Sequence, residues 1–417
     1  MKILSRNLQF TVPWDYSEQN SLLMDLYARE IYYQGNEDKP YLVYLQGGPG
    51  FPSPRPTSYN GWLKPFLERY RVILLDQRGT GRSTRVDETT PELITTWHLS
   101  RLRADNIARD LEFIREELGV DRWNLFGQSF GGFCITTYLS MYPHNVDRAF
   151  LTGGIPGAFN EIEEIYTHTY AMVEERSKLF YRKFYGVEDQ IRRIAHHLDT
   201  HEEFLPTGER LTSRRFRMLG INLGRGIGME ALAYLLEAPF AGGREVGTKL
   251  SGEFLSAVGA QLSYARGPLY AAVHEAIYGQ GSATNWAAHR LRAEIDGFAE
   301  DADPLDTSSK YYMTGEHIYP WQFIEDPALK PFRDVAFELA SKEDWPELYN
   351  ADALGDSSAI VAAAVYVDDI FVPFDLSRQT AKAFADIRLH ITNEYQHDGI
   401  GHNGDGIIRT LIEKADL

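Results

Sequence analysis

The stretch LFGQSFGGFCIT, residues 125–136, decides how the chain is read. An apolar run stops at Phe126, a serine stands among glycines, and apolar residues resume at Phe133. Gly127-Gln128-Ser129-Phe130-Gly131 fits G-x-S-x-G, a strand-to-helix turn that lifts a serine hydroxyl clear of the backbone. The same letters also suit a plain turn of small residues. At average composition the pattern arises by chance in roughly one chain in ten of this size. Its surroundings therefore carry the decision.

Working outward, short apolar runs rich in β-branched and aromatic residues alternate with helical periodicity. Tyr41 to Leu45 (YLVYL), Arg71 to Leu75 (RVILL), Trp123 to Phe126 and Arg148 to Thr152 read as strands. Asn106 to Leu118 places Ile107, Leu111, Ile114 and Leu118 at helical spacing and stops at Gly119. Strands separated by helices imply right-handed crossovers and a mostly parallel sheet with helices on both faces. After Pro156 the texture turns helical, with Leu250 to Tyr278 and Thr284 to Ile295 as the clearest stretches. Strands resume at Ala359 to Val367 and Ile387 to Thr392, and Gly406 to Ala415 has helical spacing. The expected organisation is an α/β core over 1–155, a mainly helical cap over 156–340, and the remainder of the core over 341–417. An insertion of that size is too large for a plain loop.

Ligands of an open parallel sheet collect beyond the carboxyl ends of its strands. Five strands here are followed by glycine-rich or reactive stretches: Gln46 to Gly50, Asp76 to Ser83, the Ser129 turn, Asp368 to Pro373, and His397 to His402. A hydrolytic serine needs a base to take its proton and a carboxylate to orient that base. Ser129, Asp369 and His402 supply these in the chain order serine, acid, histidine. Asp368 is the neighbouring alternative for the acid and His397 for the base. His402 is preferred because it sits among glycines beyond the last strand. Backbone donors for an oxyanion are expected at Phe130 and Gly48, with Gly47 beside them.

At 417 residues, 43% hydrophobic, the chain can bury a large core, and its formal charge of −17 argues against a nucleic-acid partner. Cys134 is the sole cysteine, so no disulfide forms within the chain and a reducing compartment suits it. No run of apolar residues is long enough to span a membrane and no leader pattern opens the sequence, so a cytoplasmic protein is expected. Neither a metal cluster nor a cofactor motif stands out. The glycines of Arg78-Gly79-Thr80-Gly81 lack dinucleotide-turn spacing. The expectation is no metal and no cofactor, and the number of copies that assemble is left open.

Together these residues resemble the proline iminopeptidase (prolyl aminopeptidase) family of α/β-hydrolase serine peptidases. The family's H-G-G-P-G motif reads Gln46-Gly47-Gly48-Pro49-Gly50, D-x-R-G-x-G-x-S reads Asp76 to Ser83, and G-x-S-x-G-G reads Gly127 to Gly132. Asp369 precedes Pro373 and His402 follows Gly401 as the family pattern has it, and FTVPWDY and LYAREIYY are similar to its first strands. One departure is Gln46, where the family carries a histidine that supports the loop. The resemblance implies an α/β-hydrolase fold with a helical cap, and removal of an N-terminal residue, preferably proline, through an acyl-enzyme. Its partners would be short peptides or amino-acid amides with a free N-terminus.

An exopeptidase must recognise a free amine, and buried carboxylates in a cap provide the counter-charge. Glu275 in VHEAIYGQG and Glu316 in YYMTGEHIYPWQF are embedded among aromatics, where a lone carboxylate is costly without a cation. Tyr278, Tyr319 and Trp321 are expected to form a proline-sized apolar pocket around them. The alternative is a serine esterase or lactonase of the same fold acting on small acyl compounds, which needs no cap carboxylates.

Overall fold

The computed structural model describes residues 2–242 and 249–417. Eight strands form one sheet: β1 (Ile3–Pro13), β2 (Leu23–Tyr33), β3 (Tyr41–Leu45), β4 (Arg71–Asp76), β5 (Trp123–Gln128), β6 (Val146–Thr152), β7 (Ile360–Tyr366) and β8 (Ile387–Thr392). Their spatial order is β1-β2-β4-β3-β5-β6-β7-β8. The pairings β1–β2 and β2–β4 are antiparallel and all later ones parallel.

Side-chain alternation explains why the middle of the sheet is covered twice. Val43, Leu45, Ile73, Leu75 and Leu125 enter one apolar cluster, whereas Leu42, Tyr44, Val72, Leu74 and Phe126 enter another. A strand apolar on both faces needs a layer on each side. Helices α1 (Ala104–Glu117) and α2 (Phe130–Met141) cover the first face. The C-terminal helix α6 (Gly399–Asp416) covers the second with Ile407, Ile408, Leu411 and Ile412.

Between β6 and β7 the described chain is mainly helical. It includes α3 (Ile162–Lys183) and α4 (Gly252–Leu262), and α5 (Phe374–Ala381) and α6 (Gly399–Asp416) follow within the core. Tyr166, Tyr170 and Val173 of α3 share a cluster with Phe133 and Ile135 of α2, so insertion and sheet have one interior. The stretch Leu250 to Tyr278, expected as one helical run, is broken: α4 ends at Leu262, Pro268–Ala272 forms a separate turn of helix, and Glu275–Tyr278 is 3₁₀. Pro268 is the physical cause, since it cannot donate into a continuing helix and starts a new one at its first position. Thr284 to Ile295 is helical only over Ala287–Arg292. Among the described residues no helix is long and apolar enough to cross a membrane.

Candidate active site

Ser129 sits at the junction of β5 and α2 with φ 54° and ψ −125°, a positive φ that a residue with a Cβ rarely adopts. Such a conformation costs on the order of 1–3 kcal/mol and persists only where its surroundings enforce it. Here they do. The Ser129 N–H donates to the Thr152 carbonyl of β6 (3.0 Å), and the Ser129 carbonyl accepts from Gly132 N–H (2.7 Å). A Cβ on Gly131 would lie 2.0 Å from the Leu45 carbonyl oxygen, so only glycine lets α2 start this close to β3.

Beyond β3, Gly47 lies directly against the serine: a Cβ there would stand 2.8 Å from the Gln128 carbonyl oxygen and 2.9 Å from Ser129 Cβ. Gln46, the departure from the family pattern, has its Oε1 accepting from the Tyr44 hydroxyl (3.0 Å), and its carbonyl accepts from Gln77 Nε2 (3.1 Å). The glutamine side chain thereby ties this loop to its own strand, and the backbone carbonyl ties it to the turn after β4.

Past the end of β7, Asp369 is buried. Its Oδ1 accepts the N–H groups of Phe371 (2.8 Å) and Val372 (3.0 Å), which fix the carboxylate. Its Oδ2 accepts from Nδ1 of His397 at 2.7 Å. The expected partner, His402, is not there. It lies inside α6 and its Nε2 donates instead to Asp398 Oδ2 at 3.1 Å. The reason is where the last helix begins. With α6 starting at Gly399, His397 stays in the loop above the sheet, whereas His402 is carried a turn along the helix and away from Asp369. Of the adjacent acids it is Asp369, not Asp368, that meets the imidazole. Burial pulls the His397 pKa down, but the charge and hydrogen bond of Asp369, with Glu316 and Asp398 nearby, outweigh it and leave it above the ordinary histidine value.

Ser129, His397, Gly47, Gly48 and Glu316 line one cavity of about 340 Å³. The Tyr270 hydroxyl donates to Glu316 Oε1. Burial pushes the Glu316 pKa up to about 7, against the pull of that hydrogen bond and of the His397 charge. Apolar wall comes from Phe51, Met218, Ile221, Leu262, Ile318 and Phe371. The arrangement gathers a serine, an imidazole paired with a buried carboxylate, the Gly47-Gly48 turn and the acids Glu316 and Asp398 around one cavity.

The other cap residues expected at the site do not line this cavity. Glu275 is buried outside it. Its Oε1 accepts Ala288 N–H (3.1 Å), and burial raises its pKa to about 7. Tyr278 packs edge-on against Phe133 and Tyr166. Tyr319 is fully buried, its hydroxyl 3.0 Å from that of Tyr170, and its ring stacks on Trp321, which also carries the guanidinium of Arg214. Aromatic rings near an acid in sequence thus serve the interior of the cap. Tyr264 and Tyr270, which face the cavity, flank the Gly267-Pro268 turn, and that turn is the signal that brings them there.

A family model described as the alpha/beta hydrolase fold matches residues 40–239. The proline iminopeptidase of Aeromonas sobria is 40% identical over 414 residues, covering 97% of this chain and 94% of that protein. Proline iminopeptidase aneH of Aspergillus aculeatus is 31% identical over 423 residues, covering 97% and 92%. Both alignments span nearly the whole chain, and the chain belongs to the proline iminopeptidase family of α/β-hydrolase enzymes.

Proposed function

We propose that the protein is a serine aminopeptidase that releases an N-terminal residue, preferably proline, from short peptides or amino-acid amides. The observation that carries this reading is Glu316, a half-buried acid in the same cavity as Ser129 and His397. A carboxylate there gains most from a cation, and the free amine beside a scissile carbonyl is one. An enzyme for uncharged acyl groups has no use for it.

In this reading His397 Nε2 takes the proton of Ser129 Oγ as Oγ bonds to the carbonyl carbon. The oxyanion is held by the N–H groups of Gly48 and Phe130, each worth about 3–4 kcal/mol in the transition state. Collapse breaks the C–N bond, and His397 returns the proton to the leaving amine. Water repeats the sequence on the acyl-enzyme and frees the amino acid. Asp369 holds the imidazole in the tautomer this needs. The sole cysteine, Cys134, is buried and unbridged, in keeping with work in the cytoplasm.

The test is a panel of amino-acid anilides with free and acetylated N-termini. Free prolyl anilide is cleaved and its acetylated form is not. Glu316→Gln lowers kcat/KM for the free amine by about 30-fold or more, the consequence of losing one partner of a buried charge pair, and affects N-blocked esters far less. Equal losses on both substrates would remove the recognition role, and turnover of acyl esters without anilide cleavage would make the protein an esterase.

A further inference from the structure

The cavity is lined by charges of both signs. Glu316 stands at one wall, and Arg225 is the sole lysine or arginine among the described residues that line it. Arg225 belongs to the cap segment that follows the Met218–Gly224 3₁₀ turn, and its side chain is exposed. Its Nη1 has only a long contact, 3.4 Å, to Asn222 Oδ1, and among the described residues it forms no ion pair with a carboxylate. Asp398, which also lines the cavity, is already engaged: Oδ1 accepts Gly226 N–H (2.9 Å) and Oδ2 accepts from His402. A cation therefore lines the cavity without an ion-pair partner among the described residues, acting on Glu316 only through its field, in a chain whose formal charge is −17.

The hydrogen bond from Gly226 to Asp398 also says which side of the site Arg225 is on. Asp398 directly follows His397, so the backbone beside Arg225 is tied to the loop that carries the imidazole, and both Arg225 and His397 line the cavity. In the reaction proposed above, the imidazole hands its proton to the departing amine, so the leaving portion of the substrate lies on the histidine side. A cavity of about 340 Å³ is at the small end of ligand sites, with room for a short peptide.

We infer that Arg225 binds the C-terminal carboxylate of the leaving portion, making short peptides with a free C-terminus the preferred substrates. This rests on the aminopeptidase reading and adds its second specificity element: Glu316 takes the positive end of a zwitterionic peptide and Arg225 the negative end. The guanidinium offers a carboxylate two parallel N–H donors. Its exposure keeps the gain modest, since solvated pairs are screened. The contact exists before and during the reaction, so it acts on KM more than on kcat.

The experiment compares Pro-Gly peptides carrying successive glycines, each as free acid and as C-terminal amide, following released proline. In the native enzyme the acid is expected to exceed its amide in kcat/KM by about three- to tenfold at the shortest lengths. The ratio should fall toward one as the chain outgrows the cavity. Arg225→Gln brings the ratio to one or below at every length, because the remaining field of the protein repels an anion, and Arg225→Lys keeps part of it. If Arg225→Gln does not fold, raising salt from about 0.01 M to about 1 M must erase the native ratio. A native ratio of one at all lengths, or a ratio unmoved by Arg225→Gln or by salt, overturns the inference. Failure to cleave prolyl anilide at all would instead overturn the aminopeptidase reading, so the two failures are separable.

Discussion

A base serving Ser129 must be neutral before it can accept a proton, and the surroundings of His397 set the pH at which that happens. Burial disfavours the imidazolium, but Asp369, Glu316 and Asp398 together favour it more, so the ring holds its proton above the ordinary 6.5. Activity on an uncharged acyl ester should then fall as pH drops, with the midpoint of that acid limb above 6.5. His397→Ala should cut kcat by at least about a thousandfold. His402→Ala should leave both the rate and the limb within a few-fold, because its imidazole is spent on Asp398 at the surface of α6. Rates across pH for the two variants separate these outcomes, and a large loss in His402→Ala would return the base to that residue. The serine was legible because its turn imposes a glycine pattern on neighbouring letters. The histidine was not, since both candidates follow the last strand within a few residues and only the starting point of a helix tells them apart.

At the scale of elements, the glycines of the Ser129 turn set the distance between helix and sheet. A methyl on Gly131 meets a carbonyl oxygen of β3, a backbone atom that cannot swing aside, so α2 has to retreat and draw Ser129 with it. Gly131→Ala should cost about 1–3 kcal/mol of stability and reduce turnover. Gly252→Ala, at the start of α4 where a methyl meets nothing within 4 Å, should be neutral or slightly stabilising. Urea midpoints at constant m measure both. The same close packing explains which elements were readable. Strands buried on both faces announce themselves as apolar runs, and β3 and β8 end where the letters put them. From α4 onward the helices of the cap are short, so apolar periodicity alone merged α4 with the turns after it, although Gly267-Pro268 marked the break. The role of Tyr319 and Trp321 was hidden for a related reason. A ring beside an acid in sequence points to whichever interior its backbone faces, and here that is the centre of the cap.

For the molecule as a whole, the cap carries an electrostatic cost at Glu275, away from the cavity that holds Ser129. This carboxyl is buried outside the cavity, and burial lifts its pKa to about 7 from the usual 4.5. Below pH 4.5 both folded and unfolded chains keep the proton and the group is neutral toward stability. Between 4.5 and 7 the unfolded chain releases it while the folded chain retains it, so stability falls as pH rises, and above 7 the loss is complete. One pKa unit is worth about 1.4 kcal/mol, which makes the full loss on the order of 3 kcal/mol. Two buried histidines run the other way. His274 and His317 are held neutral by burial, their pKa values lowered to about 4 and about 3, so acidification through 6.5 favours the unfolded chain. Glutamate and histidine slopes oppose each other in the middle of the range, and the glutamate cost stands alone above it. Glu275→Gln keeps the shape of the neutral acid and can still accept the Ala288 N–H. It should match the native protein near pH 4 and exceed it by about 3 kcal/mol at pH 8, while discriminating between free and blocked amines as the native enzyme does. Denaturation followed at the two pH values, beside the anilide panel, tests both halves. A variant no more stable at pH 8, or one that loses free-amine substrates selectively, would bring Glu275 back into the recognition of the amine.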